Sequence, residues 1–345
     1  MFVASQLNAP PREGQIERTR RMRHLATLAI VTAACALFAG QANAATILVS
    51  DAENGRVLEF GTDGTFLGTF ASGFGRPAGI QLGPDGNVYI ADAVDDGEIR
   101  KFQTDGTELA AAFDGLADVK PDDIAFNSSG QLFFVNPFGT AADGVYRVDS
   151  TTTATEVLDA TNFDNPPRGL TFDDSDNMLV ADRSSTDGSG ELESFDTSFN
   201  SNGTIITDEP LIQAPLYHNG SVFYTFRLAI DSNDPAAPGS GFVVREIDPS
   251  DGSILNTYDA PTELDGAGTL LDTIVLSDGD LLVAAFAADA VLRLDPDTGT
   301  FTDFASGTFD STQMDGPSFM AVIPEPASLA LLGLGGGVML AGRRR

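Results

Sequence analysis

Cysteine, histidine and tryptophan are nearly absent from this sequence. The 345 residues include one cysteine, two histidines and no tryptophan. Histidine is the most frequent general base and cysteine a strong nucleophile, so acid–base and thiol chemistry have few candidate residues. If Cys35 is removed with an export signal, no disulfide remains, and stability must come from a packed core.

Positive charge is also scarce. The chain has 19 Lys and Arg against 50 Asp and Glu, for a net charge of −31. Residues 45–323 hold 11 of the basic and 47 of the acidic residues, a formal charge of −36. Nucleic acid is excluded as a partner, because phosphate binding needs clustered Lys and Arg. The acidity indicates either solubility in a salty exterior, the favoured interpretation, or binding of Ca²⁺ or another divalent cation.

The N-terminal 44 residues have the pattern of an export signal. Residues 1–21 carry prolines and scattered charges, so we expect a non-native extension with Met22 as the true start. Residues 22–44 combine a basic start, an apolar stretch and an A-x-A motif, which predicts cleavage by signal peptidase. The cleavage motif consists of Ala42, Ala44 and Ala45. Cys35 lacks the leucine three residues earlier that lipidation sites usually carry, so we expect cleavage and not lipidation.

The C-terminal residues 324–345 have three parts in a fixed order. A Pro-Glu-Pro motif precedes the 16 uncharged residues 327–342, and three arginines end the chain. Sixteen helical residues span about 24 Å, which is short against a hydrocarbon core of ~30 Å. Four glycines weaken this helix further. The pattern predicts a temporary membrane helix with its arginines in the cytoplasm. The motif residues are Pro324, Glu325, Pro326, Arg343, Arg344 and Arg345.

This tail resembles the PEP-CTERM sorting signal of exopolysaccharide-producing Gram-negative bacteria. The resemblance implies that an exosortase cuts the chain near the motif. The protein would then cross the inner membrane, be anchored briefly, and reach the cell surface or the extracellular matrix. The alternative is an ordinary tail anchor.

Residues 45–323 are built from six repeats. Each contains an alternating strand, a polar turn and a second strand, which is the chemistry of a β-hairpin. The last apolar residues before the turns are spaced 42, 46, 47, 52 and 47 residues apart. They are Phe60, Phe102, Val148, Phe195, Ile247 and Leu294.

A second hairpin precedes most of these repeats, for example in residues 76–93 and 166–183. Two hairpins per repeat predict an all-β fold, a six-bladed propeller of four-stranded antiparallel blades with almost no helix. The first repeat lacks an inner strand, and residues 316–322 match the missing one. We therefore predict that this segment completes the first blade and removes a sheet edge.

The second repeat resembles an NHL repeat in Pro77-x-Gly79-Ile80 and in residues 85–92. In such a repeat we expect Asp92 to bond turn backbone. The resemblance is poor in the fifth repeat, where an insertion within residues 223–241 hides the inner strands. Seven blades therefore remain the alternative count.

Two enzyme families share such propellers. The gluconolactonase/regucalcin-like enzymes bind a divalent metal on Glu, Asn and Asp that face the channel, and Asp122 stands in the corresponding Pro-Asp context. That family carries an asparagine in an Asn-Gly-Leu context, and the corresponding positions here hold Ala78 and Arg168. The streptogramin-lyase-like enzymes depend on a histidine and Mg²⁺; here the candidate is His218, for which we expect an exposed polar loop.

Residues 173–177 alternate oxygen-bearing side chains, so Asp173 and Asp176 are weak candidates for a calcium site. They lack the glycine and distant glutamate of a calcium loop and align with plain hairpin turns. The residue types thus favour a non-catalytic surface or matrix protein that binds polysaccharide or protein. The alternative is a metal-dependent lactonase or lyase with Asp122 as its catalytic carboxylate.

Overall fold

The computed structural model describes residues 45–324, apart from seven internal segments. These are 95–96, 117, 138–142, 184–189, 210–211, 228–241 and 262–269. The predicted extension, the signal peptide and most of the sorting tail lie outside the described residues. Within the described ranges no helix is both long and apolar enough to cross a membrane. Residues Ala45–Pro324 form one compact unit.

Six four-stranded antiparallel sheets make up this unit, which confirms the predicted six-bladed propeller. From the central channel outward, the blades are β26 (Pro317–Ile323), β1 (Thr46–Asp51), β2 (Arg56–Gly61) and β3 (Phe66–Ser72); β4 (Pro77–Leu82), β5 (Val88–Asp92), β6 (Glu98–Phe102) and β7 (Phe113–Asp114); β8 (Ile124–Phe126), β9 (Leu132–Asn136), β10 (Gly144–Ser150) and β11 (Thr153–Leu158); β12 (Pro167–Phe172), β13 (Met178–Arg183), β14 (Gly190–Phe195) and β15 (Ser201–Ile206); β16 (Leu216–His218), β17 (Ser221–Arg227), β18 (Phe242–Ile247) and β19 (Ile254–Asp259); and β20 (Leu270–Val275), β21 (Leu281–Ala285), β22 (Ala290–Asp295) and β23 (Thr300–Ser306). Helical structure in the described residues is limited to 3-10 turns of three residues each.

The hydrophobic core lies between the faces of neighbouring blades, because each strand directs alternate side chains to either face of its sheet. Five of the six residues that precede the hairpin turns are almost fully buried, including Phe60, Phe195 and Leu294. Phe60, on the first blade, packs edge-on against Phe304 on β23 of the sixth blade, with ring centroids 6.2 Å apart. The repeating apolar residue seen in the sequence is therefore the contact between blades.

The ring closes where the sequence predicts. Strand β26 pairs antiparallel with β1, with Thr46 opposite Ile323 and Val49 opposite Met320. Two strands separated by about 270 residues thus share one sheet. The closing strand covers the edge of β1 that would otherwise face the channel.

A buried ion pair reinforces this closure. The Arg56 guanidinium lies 2.6 Å from the Asp51 carboxylate, and the Asp51 side chain is fully buried. Arg56 also donates hydrogen bonds to the carbonyls of Phe309 and Thr312, which belong to the small hairpin of β24 (Thr308–Phe309) and β25 (Thr312–Gln313). The Asp315 N–H donates to Asp51. The pair therefore links the first blade to the segment that precedes β26.

Two blades depart from the sequence expectation. The inner strand of the fifth blade is β16, which precedes the region 223–241 where the insertion was expected to hide it. The outer strand of the second blade is reduced to β7 and one isolated bridge between Phe102 and Glu108. Residues 110–112 are three alanines, and alanine is depleted in strands because it packs little surface there.

Replacing Arg56 with alanine should lower the free energy of unfolding by about 3–5 kcal/mol, because it leaves the buried Asp51 carboxylate without its cation. Urea unfolding of the purified protein measures this loss. The matched control is Arg147→Ala, since Arg147 pairs with Asp149 at a site where both side chains are about one third exposed. That change should cost less than about 1 kcal/mol. Equal losses in the two variants would show that the pair does not stabilise the closure.

Candidate functional site

A pocket opens at the upper end of the central channel, defined here as the end at which the inner strands begin. Its volume is about 210 Å³. We call it the channel pocket. Its lining comprises Arg76, Pro77, Ala78, Asp122, Arg168, Arg183, Gln213, Leu271, Phe286, Ser318 and Phe319. Five of the six inner strands contribute residues at or next to their first positions, and the fifth blade contributes Gln213 from the segment before its inner strand.

Backbone contacts between blades hold this wall in place. The Gly79 N–H donates to the Asp122 carbonyl at 2.8 Å. A Cβ on Gly79 would lie 2.7 Å from that same oxygen, so only glycine allows the two inner strands to come so close. The Ser50 hydroxyl donates to the Ala78 carbonyl at 2.7 Å. The first residues of the inner strands are thus fixed by neighbouring blades.

Asp92 bonds turn backbone, as the NHL resemblance predicts, and thereby positions Arg76. Its carboxylate accepts hydrogen bonds from the N–H groups of Gly75 and Arg76 at 2.9 and 2.7 Å. Asp182 does the same in the fourth blade, accepting from the N–H groups of Asn165 and Glu191. These acceptors near the ends of the second strands anchor the segments that lead into the inner strands, where Arg76 and Arg168 lie.

The channel pocket is positively charged within a strongly acidic protein. Three of the 11 basic residues in 45–323, Arg76, Arg168 and Arg183, line it. Burial, followed by repulsion from Arg168, lowers the pKa of Arg183 to about 10, and the Asp122 carboxylate opposes this in smaller measure. Burial raises the pKa of Asp122, although the three arginines oppose this rise. At Arg168 burial again lowers the pKa, but attraction to the Asp122 carboxylate outweighs repulsion from Arg76.

Two buried hydrogen-bond donors of this pocket have no partner among the described residues. They are Nε of Arg183 and Nε2 of Gln213. The Gln213 residue is only 5% exposed. A buried polar group without a partner costs about 1–3 kcal/mol, so such groups mark places where a ligand can supply the bond.

A second cavity lies further along the channel and contains two buried aspartates. Asp123 accepts a hydrogen bond from the Leu170 N–H of the fourth blade at 3.0 Å. Asp272, on the sixth blade, accepts one from the Met320 N–H of the first blade at 2.8 Å. Both residues line this cavity of about 290 Å³. Each carboxyl group thus ties its blade to the inner strand of the next.

Burial raises the pKa of both groups. It raises the pKa of Asp272 to about 7, against the hydrogen bonds from Met320 and Thr273. Burial, followed by repulsion from Asp272, raises the pKa of Asp123 well above its usual value. Both aspartates therefore hold protons at pH values at which ordinary aspartates are ionised.

The structure separates the candidates that the sequence suggested. Asp122 lines the channel pocket together with Ala78 and Arg168. His218 instead ends strand β16 at the lower end of the channel, with Nε2 2.7 Å from the Asn219 amide. The expectation of a polar loop at His218 was therefore wrong, because residues 216–218 pair with residues 221–223. Asp122 and His218 do not share a site.

The turn aspartates are engaged in local contacts. The Asp173 carboxylate accepts hydrogen bonds from the N–H groups of Ser175 and Asn177, both at 2.8 Å. Asp176 accepts from the N–H and hydroxyl of Ser128 in the third blade. Among the described residues no group of three or more His, Cys, Asp or Glu side chains is arranged to hold a metal ion.

The residues around Asp122 do not fit a divalent cation. Ca²⁺ takes six to eight oxygen ligands, and catalytic metals are held by several carboxylate, amide or imidazole groups. Here a single carboxylate is accompanied by three guanidinium groups, which repel a cation. The arrangement instead presents donors to an anion.

Sequence reasoning missed Arg76, Arg183, Gln213, Asp123 and Asp272 as channel residues. A usable signal exists for the two aspartates, since each occupies the position of Gly79 or Gly169 in an otherwise apolar inner strand. The arginines gave a weaker signal, because Arg76 precedes β4, Arg183 ends β13, and only the folded ring brings them together.

The free energy of unfolding should fall as the pH rises from 5 to 8. Because the pKa of Asp272 is about 7 in the folded protein and about 3.9 in the unfolded chain, the folded state binds more protons between these values. The stability from this group is complete below about pH 4 and is lost as the pH rises through 7, by up to about 1.4 kcal/mol per unit.

Asp272→Asn should reduce the slope of the unfolding free energy against pH by the contribution of one bound proton. Urea unfolding at a series of pH values measures this slope. Asp105→Asn is the control, because Asp105 is an exposed turn residue whose pKa is lowered by hydrogen bonds from Thr107. Its slope between pH 5 and 8 should equal that of the parent. An unchanged slope in Asp272→Asn would contradict the assignment.

Comparison with known proteins supports the fold and identifies the tail. The profile of the PEP-CTERM protein-sorting motif matches residues 322–345. A search of curated proteins gave no match. A chain from the crystal structure of a nidogen/laminin complex is 14% identical with a TM-score of 0.60, covering 81% of this chain and 99% of the other.

Two further solved structures are similar. A protein of unknown function from Bacteroides caccae is 10% identical with a TM-score of 0.57, covering 81% of this chain and 99% of the other. A putative gluconolactonase is 18% identical with a TM-score of 0.53, covering 70% and 81%. At these identities the similarity shows the fold alone. The chain is thus a six-bladed β-propeller that carries a PEP-CTERM protein-sorting motif at its C-terminus, and the motif implies export and processing by an exosortase.

Proposed function

We propose that this exported propeller is a non-catalytic binding protein of the cell surface or extracellular matrix, with a polysaccharide or a matrix protein as its ligand. The observation that carries the proposal is the channel pocket, in which three arginines surround one carboxylate. Guanidinium groups bind oxyanions by paired, charge-assisted hydrogen bonds. They do not abstract protons at neutral pH, because their pKa stays far above it.

The position of the sorting motif supports an exposed binding role. Strand β26 starts at the upper end of the channel and ends at Ile323, directly before the motif residue Pro324. Cutting the chain within the motif therefore leaves the closing strand complete. The described chain ends at the lower end of the propeller, so a ligand reaches the upper pocket without passing the point where the tail begins.

The second candidate is a metal-dependent lactonase or lyase that acts on extracellular sugars. One observation favours it: Asp122 lies in the channel pocket, at one end of the propeller, where its context resembles the gluconolactonase pattern. The guanidinium groups of Arg168 and Arg183 count against it, because their positive charges already interact with the Asp122 carboxylate. A cation would have to bind at that same carboxylate. The binding role is therefore the stronger proposal.

Incubation of the purified protein with the isolated extracellular matrix of its source organism tests this choice. We expect intact polysaccharide or one defined matrix protein to be retained, equally with Ca²⁺ and with a chelator, because the pocket attracts anions. Mass spectrometry and sugar analysis identify what is bound and what is released.

The same incubation with Asp122→Ala separates the two candidates, with Asp105→Ala as a matched change of an exposed turn aspartate. No release of products is expected from any of the three proteins. New small saccharides or opened lactones that disappear only in Asp122→Ala would overturn the binding role in favour of the enzyme.

A further inference from the structure

We propose that the channel pocket binds one carboxylate-bearing sugar unit, with the carboxylate on the arginines and the hydroxyl groups on the surrounding polar atoms. This inference rests on the proposed binding role and names the chemical class of ligand that its pocket takes. Four features of the described residues carry it: charge, donors, apolar walls and volume.

The charge of the site favours a single negative charge. Arg76, Arg168 and Arg183 provide three positive charges, and Asp122 contributes one negative charge among them. Asp143 acts on Arg168 from the third blade and contributes another. The ionised groups therefore sum to about one excess positive charge. A carboxylate balances this excess, whereas a phosphate dianion would leave the site with a net negative charge.

The donors of the site are placed for oxygen atoms. Nε of Arg183 and Nε2 of Gln213 are buried and have no partner among the described residues. A carboxylate accepts hydrogen bonds on both oxygens and suits the fork of a guanidinium group. A ligand that met these donors would remove an existing desolvation cost, so binding would gain more than the new bonds alone.

The acceptor and the walls fit a hydroxylated ring. The carboxylate oxygens of Asp122 accept hydrogen bonds from hydroxyl groups. Phe286, Phe319 and Leu271 provide apolar surface on the sixth and first blades. Sugars present hydroxyl groups at the edge of the ring and C–H groups on its face, so they need both kinds of surface.

The volume limits the ligand to one unit. The pocket of about 210 Å³ is below the roughly 300–1,000 Å³ of sites for drug-sized molecules. A chain therefore enters with its end or with a single side group. The C-terminus of a peptide carries a carboxylate as well, but it lacks the hydroxyl groups that would use Asp122 and Gln213.

Isothermal titration calorimetry of the full-length protein, kept in mild detergent, tests the proposal with four probes. They are D-glucuronate, neutral D-glucose, inorganic phosphate and a tripeptide with a free C-terminus. D-Glucuronate should bind at least about 10-fold more tightly than D-glucose, because its carboxylate adds charge-assisted bonds to the arginines. It should also bind at least about 10-fold more tightly than phosphate or the tripeptide, because neither presents a hydroxylated ring to Asp122 and the apolar walls.

Variants locate the site. Arg183→Gln should weaken D-glucuronate binding about 10-fold or more, and Arg183→Lys should restore part of it, because lysine keeps the charge but loses the fork. Arg147→Gln is the matched control, since Arg147 lies on β10 and pairs with Asp149. Its affinity should equal that of the parent. A thermal unfolding curve of each variant confirms that it is folded.

The outcomes separate this inference from the proposed function. Equal binding of D-glucose, or binding that Arg183→Gln leaves unchanged, overturns the carboxylate site. Tighter binding of phosphate or of the tripeptide replaces the sugar acid with another anion and equally overturns it. Retention of matrix in the earlier incubation, without D-glucuronate binding, leaves the binding role standing while this inference fails. Conversion of D-glucuronate into products would overturn the binding role itself.

Discussion

The pairing of β26 with β1 is the constraint on which the rest of the structure depends. It places both ends of residues 45–324 in one sheet, so the six blades form a closed ring. Only a closed ring brings the starts of six inner strands around one channel. The ion pair of Asp51 and Arg56 and its hairpin sit beside this joint. Because no cysteine lies in these residues, closure depends entirely on hydrogen bonds, packing and buried charge.

Burial of polar groups gives the channel two different halves. In the upper half, Nε of Arg183 and Nε2 of Gln213 are buried donors without a partner among the described residues. In the lower half, Asp123 and Asp272 use their oxygens to bond the N–H groups of neighbouring inner strands. The same loss of hydration therefore leaves unmet donors in the upper half and forms joints between blades in the lower half, among the residues that the structure describes. A protein with an acidic surface can thus hold a cationic pocket, because charge is set locally by the residues that line it.

Much of this fold can be predicted from the sequence because its signals repeat. The apolar residue before each turn, the Asp-Gly turns and the match of residues 316–322 to an inner strand are local patterns, and each corresponds to an observed strand or contact. The inner strand of the fifth blade was not located from the sequence, because β16 has only three residues, too few to show an alternation. Asp122 was found through its context, but its neighbours Arg183 and Gln213 come from other blades. A pocket assembled from six blades leaves no local pattern, so its charge becomes visible only in the closed ring.

The central claim is that the upper end of the channel receives an anion and not a metal ion. Crystals of the protein soaked separately in bromide and in Mn²⁺ test it most directly, since both ions are located by anomalous scattering. A bromide ion beside Arg168 and Arg183, with no Mn²⁺ near Asp122, is the expected result. A Mn²⁺ ion bound to Asp122, with no bromide in the pocket, would contradict the claim and favour a metal-dependent enzyme.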